Sequence, residues 1–385
     1  MKEFYLDAGA TTPVIDTAFD KMLPYFQQNY YNPSSAYTPS FHVNKDVESV
    51  REYIAKYMGC LPKEVFFTSG ASEANSWAIQ GWIRKHPNGR VITTNIEHHS
   101  ILAMTEEPLF TRRTDFDVIP VNEDGIIMLD AVYDAIDRAL LDDVEMEDIL
   151  VAIQSANSEI GTVQPIYELA EGVRAWGAHF FTDATQMFPC FDMEYGFSKN
   201  IDMMSMSGHK IGTPKGIGCL FVKKDIDLPP LIYGTQNYGK RGGTENVPYI
   251  IALGEAFRDI SSKPRWTIAD TRNKLLEELK KITPVKENGG YEKLSNNINI
   301  TFEDDKIIGQ GLVLVLGAMG VYISVGSACS AQSPEPSHVL KAIGLSDEEA
   351  LRTIRISLPY DFDEKDIPEV VGRFKTAIDL VRGQK

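Results

Sequence analysis

The sequence predicts an α/β protein built on a mainly parallel, seven-stranded sheet with helices on both faces, joined to a smaller α/β domain. Three observations carry that prediction. Seven short apolar runs alternate with stretches of helical periodicity, the pattern of strands crossed over by helices. Beyond Val247 the pattern changes to helix, then two strand-like stretches, then a terminal helix. A chain of 385 residues with 43% hydrophobic content can bury more core than one small domain needs.

In order along the chain, strands are expected at 65–68, 90–95, 114–120, 149–154, 179–182, 203–206 and 218–222. Helices separate most of them. The stretch 166–176 is the clearest, because Gly177 stands where a helix C-cap belongs. The second domain takes strands near 293–302 and 321–325. The expected division gives a large domain of 13–250 and a small one of 1–12 with 251–385, meeting at a boundary helix over 248–260.

Composition narrows the function classes. A net charge of −16 argues against nucleic acid or an anionic membrane as a main partner. Lys2, Glu3 and Asp7 break any apolar start, so no secretory signal is expected. The apolar run near 311–326 is interrupted by Gly317, Gly320 and Ser324, and falls short of the roughly 20 residues a membrane span needs. Four cysteines (Cys60, Cys190, Cys219 and Cys329) form no CxxC pair and no dense framework, which fits a reducing cytoplasm.

The chemistry starts from Ser207-Gly208-His209-Lys210, which closes a Met-rich run and opens a Gly-rich loop. A lysine held at the end of a buried segment is a candidate for losing its proton and forming a Schiff base with an aldehyde cofactor such as pyridoxal phosphate. The alternative is a surface lysine after a core strand. Such a cofactor needs a carboxylate for its ring nitrogen, an anion cup and a flat cover. Asp183 stands where its strand stops, at the carboxyl end where parallel sheets bind ligands; a helix N-cap is its other reading. Gln186 is a candidate donor to the ring oxygen, or an ordinary polar loop residue. Ala71 and Ser72 start a helix after small residues, so free N–H groups and the helix dipole offer an anion site. Capping without a ligand explains the same residues locally. His98 is the candidate ring cover. The pair His98-His99 also suggests a metal, but adjacent side chains point different ways and no Cys or carboxylate lies at ligand spacing, so no metal is expected. Arg355, between Ile354 and Ile356, offers a bidentate cation for a substrate carboxylate, or is a solvated strand residue.

These pieces stand in a fixed order: Leu6-Asp7 to Pro13, Asn32-Pro33-Ser34-Ser35, Thr68 to Glu73, Glu97-His98, Asn157 to Gly161, Asp183 to Gln186, Ser207 to Lys210, Arg241 to Asn246, and Gly326-Ser327-Ala328-Cys329. That order resembles the class V branch of pyridoxal-phosphate enzymes, of fold type I, and within it the cysteine desulfurases of the nitrogen-fixation and iron–sulfur-assembly type. The likeness runs over nearly the whole chain.

The resemblance implies Lys210 as the Schiff-base lysine, His98 as a stacking and proton-moving residue, and Cys329 as the thiol that takes sulfur. It implies cofactor contacts from Ala71, Ser72, His98, Ser158, Asp183, Gln186, Ser207, His209 and Thr244, and substrate contacts from Arg355 and Asn157. Thr244 resembles a residue that reaches the cofactor of a neighbouring subunit, which implies a homodimer. The implied reaction converts L-cysteine to L-alanine and leaves sulfur on Cys329 as a persulfide for an acceptor protein. Cys329 sits in a Gly/Ser/Pro stretch that reads as a mobile loop, where a thiol can be exposed and reactive.

Several positions depart from the family pattern. Ser158 replaces a second Asn, which alters a contact to the ring oxygen. Ser72 replaces Thr, Tyr37 a His, and Leu358-Pro359-Tyr360 a Leu-Gly-Arg; Gly234 to Tyr238 also differs. The final helix is followed soon by Lys385, where iron–sulfur-assembly members carry a longer tail that meets the scaffold protein. Two other readings compete. Selenocysteine lyase, C–S lyase or aminotransferase chemistry on the same fold needs no loop thiol. A non-catalytic sulfur-carrier or assembly subunit needs no cofactor.

Overall fold

The computed structural model of the chain describes residues 2–188, 199–262, 268–326 and 336–383. Among these residues the strands are β1 (Phe4–Tyr5), β2 (Val65–Thr68), β3 (Arg90–Thr94), β4 (Asp115–Ile119), β5 (Ile149–Ala152), β6 (His179–Asp183), β7 (Met203–Ser207), β8 (Gly218–Val222), β9 (Val285–Glu287), β10 (Asn297–Phe302), β11 (Val321–Tyr322) and β12 (Thr353–Ser357). The seven expected strands form one sheet in the order β2-β8-β7-β6-β5-β3-β4. Strands β3 to β7 pair in parallel, whereas β8 runs antiparallel to both β7 and β2. β2 is therefore aligned with β7, and six strands present their carboxyl ends at one edge.

The sheet is covered on both faces because its strands are apolar on both. Successive residues alternate between two cores, as the strand period of two requires. Ile92, Val151, Phe180, Met204 and Phe221 face one layer. Val91, Leu150, Phe181, Met203 and Leu220 face the other, which is closed by Trp77 and Trp82 of the helix Ala71–Lys85. Each such side chain contributes about 1.5–3 kcal/mol on burial.

A third core gathers β1, β9 to β12 and the helices Ile268–Lys280 and Ile367–Gly383. β10 pairs antiparallel with both β12 and β9, and β1 pairs in parallel with β11. Phe4 and Leu6 thus pack with the C-terminal elements. The helix Val247–Ser262 packs mostly in the first core, where Phe257 meets Tyr57 edge to face at 5.4 Å, and its Ala252 packs on Ala18 and Met22. The expected division at 250 falls within this helix, and the chain next joins the core of Phe4 and Leu6 at Ile268. Among the described residues, no helix is long and apolar enough to cross a membrane.

Candidate active site

The carboxyl edge of the sheet opens into a cavity of about 400 Å³, lined by Ala71, Ser72, His98, Ser158, Asp183, Gln186, Ser207, His209, Lys210 and Arg355 among others. All but Arg355, which comes from β12, lie at or just beyond the ends of sheet strands, because the loops leaving aligned strands converge at that edge.

After β2, the chain turns at Gly70 (φ 152°, ψ −178°), a region of backbone space essentially confined to glycine. The helix Ala71–Lys85 then begins with no side-chain cap on its first turn. Ala71 and Ser72 line the cavity, and the N–H groups of this first turn have no acceptor within the helix, with the positive end of the helix dipole behind them. A second glycine permits this. A Cβ on Gly218 of β8 would lie 2.7 Å from the Gly70 Cα, so only glycine lets β8 pass against the turn. Glu73 ties the cradle to the loop beyond: it accepts from the Ser69 N–H at 2.7 Å and from Arg241 at 2.8 and 3.1 Å. Burial pushes the Glu73 carboxyl up, but these bonds outweigh it and hold the group below its ordinary value.

Asp183 ends β6 and is 7% exposed. Its Oδ1 accepts from the Thr185 N–H at 2.9 Å and its Oδ2 from Asn75 Nδ2 at 2.8 Å. Lys210 follows β7 in a short 3₁₀ turn. Its ammonium donates to the carbonyls of Gly9 and, at 2.8 Å, Ala10, which anchors the opening segment over the cavity. Gln186 Nε2 donates to the same Gly9 carbonyl at 3.2 Å. His209 turns away to Thr11 Oγ1 at 3.1 Å. Burial, with Lys210 and Lys215 nearby, depresses its pKa to about 4, so it is neutral at pH 7.

His98 caps the helix His99–Glu106 and opens to the cavity. The side chain is open to solvent, and desolvation by the surrounding groups, with Lys210, His99 and His338 nearby, holds its pKa below the usual imidazole value. Arg355, on β12, is 1% exposed; it donates to Asp7 Oδ1 at 2.7 Å and to the Ser158 carbonyl at 3.1 Å, while its Nε has no partner among the described residues. Ser158 thus reaches the cavity on a loop that the clamp itself holds.

Asn157 and Thr244 do not line this cavity, Thr244 being expected at the site of a neighbouring subunit. Asn157 is buried behind the cavity wall. Its amide is committed to the backbone: Nδ2 donates to the Ile96 carbonyl at 3.0 Å, and Oδ1 accepts from the N–H groups of Glu159 and Ile160 at 2.8 and 3.1 Å. Thr244 is exposed and does not line this cavity. Cys329 lies outside the described residues.

Four contributors were not assigned a role from sequence. Asp7 stood within a recognised motif, but nothing local links it to Arg355. Asn75 and Ser100 join Asp183 to His98, and Arg241 reaches Glu73.

The family profile described as "Aminotransferase class-V" matches residues 4–370. "Cysteine desulfurase IscS" of Clostridium botulinum (strain Hall) is 37% identical over 382 residues, covering 96% of this chain and 93% of that protein. Among solved structures, a "NifS-like protein" superposes with a TM-score of 0.87 at 28% identity, covering 98% of this chain and 100% of that one. Another, "SspA in complex with cysteine", gives a TM-score of 0.81 at 35% identity, covering 93% of this chain and 99% of that one. Matched along nearly its whole length and with one cavity built from the expected strand ends, the chain belongs to the aminotransferase class-V family, in its cysteine desulfurase branch.

Proposed function

We propose that this chain is a pyridoxal-phosphate-dependent cysteine desulfurase that acts on L-cysteine as a cytoplasmic homodimer. The observation that carries the reading is one cavity holding an amine, a buried carboxylate, an uncapped helix N-terminus, an imidazole and a guanidinium. The donor set fits the cofactor. The uncapped N–H groups of Ala71 and Ser72, with the Ser72 hydroxyl, suit its phosphate. Asp183 suits its ring nitrogen, Gln186 and Ser158 its ring oxygen, and Lys210 its aldehyde carbon, with His98 against its face and Ser207 and His209 flanking Lys210.

When bound, pyridoxal phosphate supplies an electron sink for the α carbon of an amino acid. The chain's own groups do the rest. Arg355 orients the substrate carboxylate, with Asp7 holding the guanidinium in place. Asp183, fixed in place by the Asn75 and Thr185 donors, faces the ring nitrogen and holds a proton there. The Lys210 amine takes the α proton. The Cys329 thiolate forms an S–S bond with the substrate sulfur as the C–S bond breaks; the electron pair is left on the β carbon, which takes a proton, and return of a proton to the α carbon gives alanine.

The thiols in the described residues support Cys329 for this step. Burial raises the Cys60 pKa to about 12 and pushes Cys219 higher still, so both stay protonated and inert at neutral pH. The homodimer rests on the exposed Thr244, on a loop latched through Arg241 to the phosphate cradle's Glu73, and we place the domain boundary between Ser262 and Ile268. A sulfur-acceptor protein completes the cycle.

The test uses full-length protein loaded with pyridoxal phosphate. Wild type should release alanine from L-cysteine, and borohydride should fix the cofactor to Lys210. Lys210→Ala should lose the fixed cofactor. Cys329→Ser should keep it yet form no alanine, and mass spectrometry of wild type after one turnover should find the added sulfur on the Cys329 peptide. Added sulfur on another cysteine, or a fully active Cys329→Ser variant, overturns the reading.

A further inference from the structure

Behind the cavity wall, a chain of polar side chains links the residues at two sides of the site. Asn75, in the second turn of the helix Ala71–Lys85, is 0% exposed. Its Nδ2 donates to Asp183 Oδ2 at 2.8 Å and to Ser100 Oγ at 2.9 Å. Turning the amide over would set its oxygen against the Asp183 carboxylate, so Asp183 fixes the orientation. The Asn75 Oδ1 is left buried with no partner among the described residues, which marks how firmly the donor side is held.

With an Asn75 N–H on its oxygen, Ser100 keeps its own hydroxyl hydrogen available. That hydroxyl lies 2.8 Å from His98 Nδ1. The Ser100 backbone N–H donates to the same nitrogen at 3.0 Å. A backbone amide cannot turn away, so Nδ1 carries the lone pair. Neutral His98 then holds its proton on Nε2, the nitrogen left for the cavity.

We propose that Asn75 and Ser100 are positioning residues that lock His98 as the neutral, Nε2-protonated tautomer and tie its ring to Asp183. His98 therefore offers the cavity a hydrogen-bond donor and no lone pair. Proton abstraction falls to another group, which agrees with Lys210. An imidazolium would place a third hydrogen among the two Ser100 donors at Nδ1. The charges facing the ring are Asp183, which favours the imidazolium, and Lys210, His99 and His338, which oppose it together with desolvation.

The test is heteronuclear NMR of full-length protein with ¹⁵N-labelled histidine, the His98 signal being identified by its loss in His98→Gln. Wild type should show an unprotonated Nδ1 and a protonated Nε2 at neutral pH. Ser100→Ala removes one donor from Nδ1 and should raise the His98 pKa by about one unit. Asn75→Ala frees the Ser100 hydroxyl and should shift it the same way and mix the tautomers. In the cofactor-loaded enzyme each variant should lose about tenfold in kcat, with KM for L-cysteine within about twofold. A protonated Nδ1 in wild type overturns the proposal, as do folded variants with unchanged tautomer and titration, or altered tautomers with unchanged kcat. Should Asn75→Ala fail to fold, the wild-type spectrum and Ser100→Ala still decide. Only the kinetic arm rests on the proposed reaction. If wild type shows the stated tautomer but makes no alanine, that reaction fails and the tautomer assignment stands.

Discussion

Arg355 and Asp7, 348 residues apart, form an ion pair of 2.7 Å in which the guanidinium is 1% exposed. The pairing does two opposed things. It orients the guanidinium toward the cavity, and it places a negative charge beside the group that must attract a carboxylate. The variants separate these effects. Asp7→Asn keeps an acceptor and removes the charge, so KM for L-cysteine should stay equal or fall. Asp7→Ala removes both, leaves a buried cation unpaired at a cost of about 3 kcal/mol, and should raise KM about tenfold with a lower melting temperature. Steady-state kinetics and thermal unfolding of both variants check this; a rise of KM in Asp7→Asn would refute the separation.

The Glu73–Arg241 pair links the anion cradle to the loop carrying Thr244. Because the folded Glu73 pKa is depressed, its contribution to stability is full above the ordinary carboxyl pKa. It is lost as pH falls through the lower folded value. Arg241→Ala should therefore destabilise the protein at neutral pH and flatten the acid limb of its stability curve. It should also weaken pyridoxal phosphate binding, since the first turn of the cradle loses its brace. Melting temperature against pH, with cofactor titration by fluorescence, reads both effects.

Glu97 carries the opposite sign. It is fully buried, accepts from Thr94 Oγ1 at 2.7 Å and from the Gln154 N–H at 3.0 Å, and burial lifts its pKa to about 8. The folded state then binds a proton that the unfolded state has released, so stability falls as pH rises from the ordinary carboxyl range through about 8. Glu97→Gln has no proton to lose. Its melting temperature should fall less than that of wild type between about pH 5 and pH 8. Parallel curves would show that Glu97 is ionised in the fold.

Local pattern was enough for the parts of this molecule made by contiguous residues. The seven sheet strands were legible because each is an apolar run bounded by polar or glycine residues, and Lys210 and Asp183 because they stand where such runs stop. What pairs across the chain was not legible. The antiparallel insertion of β8 between β2 and β7 depends on Gly218 fitting beneath Gly70, a tertiary fact with no local signature. Asn75 reads as an ordinary polar residue on a helix until the fold sets it against Asp183 and Ser100. Asn157 shows the reverse: its motif suggested a ligand contact, yet a loop that must cross between two cores uses the amide to satisfy its own backbone.

The loop that Asn157 braces carries Glu159, which is 2% exposed, bonds Ser337 and lies close to Gly326, on either side of residues 327–335. Its Oε2 accepts from Ser337 Oγ at 2.6 Å, and a Cβ on Gly326 would lie 3.1 Å from the same oxygen. The Glu159 backbone is fixed in turn: its carbonyl accepts from Asn297 and Asn299 at 3.3 and 3.1 Å. Ser337 also caps the helix His338–Ala342, accepting from the Val339 and Leu340 N–H groups at 3.1 and 3.4 Å. Ser337→Ala loses the cap and the Glu159 bond together, and should cost about 1–2 kcal/mol of stability. Pyridoxal phosphate contacts neither residue in the proposed site, so cofactor content should not change. Alanine formation in a single turnover should slow about tenfold, because the flanks of the segment bearing Cys329 lose their common anchor. Ser337→Thr, which keeps the hydroxyl, should restore most of the rate. If cofactor content fell in step with the rate, Glu159 would be bracing the whole cavity and not the flanks of that segment.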